Sequence, residues 1–254
     1  AVMDEELTEL LTRLMRAGTV SDGDVMMLRE AVCTDEAIEQ PVVDALFTLN
    51  DQLTSYSPVW TDFFIEAVEY FLVDQTPPQG FFDDASARWL HERIDKNGRV
   101  TSLPELELLV ALLERTENAP EDLKHYALIQ IETAIAQGEG PTRIDGTVRP
   151  NCVDACEVEL LRRVIFAGGG EGAVIVGSDE ADMLFRIKDA TLDGDNAASW
   201  LRLFVQGVGN HLMAHSDYRP LSRDEALDFE RVMNDNTPSL ARFFSRMLPP
   251  DKFG

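Results

Sequence analysis

The chain has 254 residues, 44% of them apolar and 27% charged, with 46 acidic against 22 basic side chains and a formal net charge of −24. That apolar content supports one large core or two smaller ones without disulfides or metal, and the charge argues against a nucleic-acid backbone or an anionic bilayer as partner, because both would be repelled. Three scattered cysteines, Cys33, Cys152 and Cys156, argue against a secreted disulfide scaffold and favour a reducing cytoplasm.

From the start of the chain, apolar residues recur at three- and four-residue spacing, the period of a one-faced helix. Ala1 to Glu6 lack the basic and apolar regions of a signal peptide. Leu7, Leu10, Leu11 and Leu14 form the first stripe, which Gly18 ends. Ser21 with Asp24 is a box-like cap that opens a second helix carrying Val25, Leu28 and Val32. The most apolar stretch, Phe63 to Val73, is interrupted by Glu66 and Glu69 and falls short of the roughly 18 residues that a membrane span requires. Further stripes follow at Leu106, Leu109, Val110 and Leu113, and at Val158, Leu161, Val164 and Ile165. Glycines at 80, 138, 140 and 168 to 170 mark helix stops, Ser178 with Asp179 and Glu180 a loose start, and Ser222 with Glu225 a further capping box. Strand-like alternation is nearly absent, and Ala173 to Val176 is too short to support a sheet. The expected fold is all-α.

Self-comparison shows an internal repeat. Asp44-Ala-Leu-Phe-Thr-Leu-Asn-Asp51 lies over Asp182-Met-Leu-Phe-Arg-Ile-Lys-Asp189, and Trp60-Thr-Asp-Phe-Phe over Trp200-Leu-Arg-Leu-Phe. Gly18-Thr-Val20 pairs with Gly146-Thr-Val148, and Ile94 to Gly98 with Met233 to Thr237. Two tandem halves of about six helices each follow, 1–117 and 118–254, with the seam between Arg115 and Glu121, where Asn118 and Pro120 break the pattern. Trp60 and Trp200 read as repeated core anchors, each a large ring at a helix start.

The pattern Gly-x-Val before a helix, followed by an acid, occurs at Gly18 with Asp24, Gly98 with Glu105 and Gly146 with Glu157. It resembles the second half of an EF-hand loop, in which glycine permits a turn, a β-branched residue bridges to the neighbouring loop and a final acid chelates calcium. Two stretches carry the resemblance. In the first, Asp95, Asn97 and Glu105 supply oxygens, although with Gly98 at loop position 6 the first and last ligand positions hold Arg93 and Pro104. In the second, Asp189, Thr191, Asp193 and Asp195 surround Gly194, and Trp200 stands where the bidentate acid belongs. The alternative assigns these residues to turns and helix caps. The same texture resembles tellurite-resistance TerB-like helical domains, which implies a compact helical module, cation-binding and acting with partner proteins in an envelope or stress context.

Other chemistry has little footing. Cys152 with Cys156 and His211 with His215 each place two zinc-type ligands one helical turn apart, and ordinary buried thiols with a helix-end histidine pair are the plainer reading. No Gly-x-Ser-x-Gly elbow occurs. Gly168 to Gly172 lacks the Lys-Ser/Thr of a phosphate cradle. These observations argue against an enzyme. They favour an acidic interaction module for a basic protein partner, with calcium binding or sensing as the alternative and no membrane insertion.

Overall fold

The computed structural model describes residues 1–34, 37–75, 77–168, 174–215 and 222–234. These residues hold α1 (Glu5–Ala17), α2 (Asp22–Val32), α3 (Gln40–Gln52), α4 (Pro58–Glu69), α5 (Asp84–Ile94), α6 (Leu103–Arg115), α7 (Glu121–Gln137), α8 (Ala155–Ile165), α9 (Ser178–Ala190), α10 (Trp200–His215) and α11 (Arg223–Asn234). A π-helical turn, Tyr70–Asp74, prolongs α4, and two strands of two residues each, β1 (Thr19–Val20) and β2 (Ser55–Tyr56), pair in parallel. The all-α expectation holds. No described helix is long and apolar enough to cross a membrane.

The first ten helices follow one another as five helix-loop-helix pairs, and the pairs stack. Even-numbered helices form one layer, with α2 on α4, α4 on α6, α6 on α8 and α8 on α10. Odd-numbered helices form the other. There α1 packs on α3 and α7 on α9, while the Phe47–Trp89 and His91–Tyr126 ring contacts link α3 to α5 and α5 to α7. One apolar core runs through the stack from Leu7 to Val208.

Local sequence explains the element ends. Asp4, Ser21, Asp83, Ser102 and Asp154 cap helices by accepting from a backbone amide three residues on. At α9 the cap lies one residue earlier than the sequence suggests: Gly177 is the N-cap, and Glu180 reaches back to its amide. The Ser222–Glu225 box forms in both directions. Gly138 ends α7 at φ 70, and a Cβ there would stand 2.1 Å from the Pro150 nitrogen, so the chain's return past this point requires glycine.

The loops inside successive pairs line one edge of the stack and bond to one another. The Thr54 amide donates to Gly18 O and the Ala197 amide to Val153 O. Gln130, from α7, accepts from the Val100 amide and donates to Gly98 O. One part of the sequence alignment shifts here. Val148, matched to Val20, is 62% exposed, whereas Val153, directly ahead of the Asp154 cap, is fully buried. Residues 139–151 lie between the Gly138 stop and that position. Of the Met233 to Thr237 stretch, residues 235–237 lie outside the described residues, as do 169–173 of the glycine-rich segment.

A second device closes individual pairs. Gln75, after α4, accepts from the Ile38 amide and donates to Ile38 O. Asn118, after α6, does the same to Phe82. Asn210, in α10, accepts from the Val176 amide and donates to Val174 O. Ile38, Phe82 and Val176 are each buried ahead of the odd helix of their pair.

Candidate functional site

The parallel neighbours α7 and α9 enclose a groove of about 580 Å³. Buried Leu128 and Met183 form its floor, and Ile129 and Ile175 project at 41% and 61% exposure. Carboxylates surround it because both helices carry acids in the first turn, Glu121 and Asp122 on α7 and Asp179 and Glu180 on α9, where the positive end of the helix dipole favours them.

The two strong cations of the groove are already engaged. Lys124 Nζ lies 2.5 Å from Glu180 Oε1. Arg186 forms a two-pronged contact with Glu132, Nε and Nη2 at 2.8 and 3.0 Å, and this raises the guanidinium's proton affinity. Glu121, Asp122 and Asp179 are exposed and make no ion pair among the described residues. The rim therefore presents net negative charge around an apolar strip. Sequence reasoning missed this site, since its two sides come from helices whose adjacency depends on the stacking order.

The residues singled out as oxygen ligands fall into two loops. In the second, Thr191 is buried and its hydroxyl donates back to Ile187 O. Thr191 O accepts from the Gly194 amide and from Asn196 Nδ2, and Asp195 O accepts from Cys152 Sγ. Asp189, Asp193 and Asp195 are exposed.

In the first loop, Asp95 accepts from Tyr126 Oη at 2.7 Å and from the Gly98 amide at 3.0 Å, and these bonds hold its carboxyl below the usual range. Asn97 is exposed in the left-handed region at φ 57. Glu105 is buried beside Lys96, at 0% exposure. Its two oxygens lack a hydrogen-bond partner among the described residues. Burial, with the nearby charge of Asp51 and against that of Lys96, pushes its carboxyl up to about 7.

The cysteine and histidine pairs lie apart. Cys152 bonds to Asp195 ahead of α10, whereas His211 Nδ1 meets Val176 O near the other end of that helix. Eleven residues of helix separate those ends by about 16 Å. Among the described residues no three His, Cys, Asp or Glu side chains gather as a metal ion requires. The structure instead shows a buried ion pair that the sequence did not indicate: Arg143 Nε lies 3.0 Å from Glu157 Oε1, and Thr142 Oγ1 donates to the same carboxylate at 2.7 Å.

Comparison with protein-family models, curated proteins and solved structures finds no match to this chain.

Proposed function

We propose that this protein is a non-enzymatic interaction scaffold in which the stacked helix pairs present an acidic groove to an Arg/Lys-rich segment of a partner protein. The observation that carries the reading is the α7–α9 groove, where Glu121, Asp122 and Asp179 make no ion pair among the described residues and surround Ile129 and Ile175, while Lys124 and Arg186 are held by Glu180 and Glu132. A segment with arginines flanking an aliphatic residue satisfies both features. Charge sets the encounter rate and the apolar strip limits dissociation. A cytoplasmic setting belongs to the same proposal and draws on three free thiols, of which Cys33 is exposed. So does descent from two copies of one ancestral unit, 1–117 and 118–254, since α3 and α4 occupy the places in their pair that α9 and α10 occupy in theirs.

The test uses a fluorescent peptide with three arginines around one leucine, titrated with the full chain and read by anisotropy. Affinity should fall at least tenfold between 50 mM and 0.5 M salt, where the Debye length shrinks to roughly 4–5 Å. The Asp122→Lys, Asp179→Lys double variant should weaken binding by a similar factor. Salt-indifferent binding, or binding that the double variant leaves unchanged, overturns the reading.

A further inference from the structure

The last two turns of α10 carry His211 and His215, four residues apart and therefore on one face of the helix. Their rings stand side by side, with centroids 4.4 Å apart and planes tilted by 34°. His211 is partly buried and His215 is exposed.

Both rings are held through the same nitrogen. His211 Nδ1 lies 2.8 Å from Val176 O, and His215 Nδ1 lies 2.9 Å from His211 O. A carbonyl oxygen only accepts, so each Nδ1 carries the proton, and in a neutral imidazole this leaves a bare lone pair on Nε2. Neither Nε2 has a partner among the described residues. The support behind His211 is firm: Val176 is fully buried, and Asn210, the preceding residue of α10, accepts from its amide and donates to Val174 O. A ring N–H fixed on a backbone carbonyl, with the other nitrogen left free, is the arrangement that orients histidines toward metal ions. Capping the end of α10 is accomplished by the Nδ1 bonds alone and gives the two Nε2 atoms no task.

We propose that His211 and His215 together bind one first-row transition-metal dication, Cu2+ most strongly, through their two Nε2 atoms. Nitrogens that share such an ion lie about 2.0–2.1 Å from it and so about 3 Å from each other, a gap that rings 4.4 Å apart close by small rotations. Imidazole suits copper, nickel and zinc, and copper heads the affinity order for divalent ions. No third His, Cys, Asp or Glu side chain joins the pair among the described residues. The site is therefore open and exchangeable, with water at the remaining positions, rather than a closed centre of three or four protein ligands. Calcium, magnesium and manganese, which seek carboxylate and carbonyl oxygens, find none supplied by the pair. The net charge of −24 concentrates dications of every kind near the chain, and the imidazoles select among them.

Titration of copper, nickel and manganese chlorides into the untagged full chain tests this, with Cys33→Ser removing the exposed thiol. Cu2+ should bind at one ion per chain, more tightly than Ni2+, and Mn2+ should not saturate in the same range. Traces of Cu2+ should broaden the ring proton resonances of both histidines together. His215→Ala and His211→Gln should each weaken Cu2+ binding at least tenfold, because the second nitrogen then no longer acts at the effective concentration set by the first. His125→Gln should leave it unchanged. His215 is exposed, so its variant keeps the test independent of any folding defect in His211→Gln. Broadening of one ring alone, or binding that His215→Ala leaves within twofold, overturns the proposal. Equal affinity for Mn2+ and Cu2+ assigns the ion to carboxylates and overturns it as well. So does dimerisation with one ion per two chains, which assigns the ion to imidazoles of two copies.

Discussion

Lys96 Nζ stands 4.0 Å from the fully buried Oε1 of Glu105 and 3.3 Å from the exposed Asp51, so one ammonium is shared between two carboxylates, the buried one being the farther. Glu105 thus gains little from the cation nearest to it.

The consequence is a dependence of stability on pH. The folded carboxyl titrates near 7 against an ordinary value of 4.5. A raised carboxyl binds its proton more tightly in the folded state, so its contribution is complete below pH 4.5 and is lost as pH rises through 7. The loss amounts to about 3 kcal/mol at most. Urea midpoints should fall from pH 5 to pH 8, and Glu105→Gln should flatten that fall. Parallel profiles for the two proteins would disprove the assignment.

Trp60 and Trp200 occupy similar places but differ in their partners. Trp60 Nε1 donates to Asn50 Oδ1 at 3.1 Å, and Asn50 Nδ2 donates to Ser102 Oγ at 2.9 Å. Trp200 Nε1 has no partner among the described residues. Both phenylalanine variants lose the volume of one ring, and Trp60→Phe should cost about 1–3 kcal/mol more than Trp200→Phe through the stranded Asn50 oxygen. Alanine at either position should cost about 3–5 kcal/mol. Chemical denaturation measures all four, and equal costs for the two phenylalanine variants would contradict the difference in bonding.

Arg143 and Glu157 are both buried, with side-chain exposures of 2% and 0%. Arg143→Ala leaves an uncompensated carboxylate and should cost about 3–5 kcal/mol, whereas Arg143→Met with Glu157→Met should recover most of it. A double variant as unstable as the single one would show that the pair contributes more than mutual neutralisation.

Calcium at millimolar concentration should leave the thermal midpoint within a degree of its value in chelator. Among the described residues no three His, Cys, Asp or Glu side chains gather as a ligand set, and the Thr191 hydroxyl and Asp95 carboxylate are oriented by internal bonds, so neither loop is arranged to hold the ion. A rise of several degrees would restore the calcium reading.

Helix faces and most caps were legible because period and capping chemistry are local: Leu7, Leu11 and Leu14 are buried together, and the Ser21–Asp24 box forms. The burial of Val153 and the exposure of Val148 were not legible, because a Gly-Thr-Val motif reads alike whether or not the chain tucks its valine under the next helix. The amide clamps escaped notice because a lone Gln75 or Asn118 after a helix looks like ordinary polar surface until its backbone partner is known. The groove escaped for a related reason: Ile129 and Ile175 meet only when α7 and α9 become neighbours, and sequence periodicity carries no information about stacking order.

The clamps at Gln75, Asn118 and Asn210 each tie the end of a helix pair back to its own beginning. Under mechanical load such a molecule behaves as a row of buckled links rather than as a single thread. Tension applied at the two ends reaches the interior of the α3–α4, α5–α6 or α9–α10 pair only after its buckle opens, so extension of these three pairs should proceed in discrete releases.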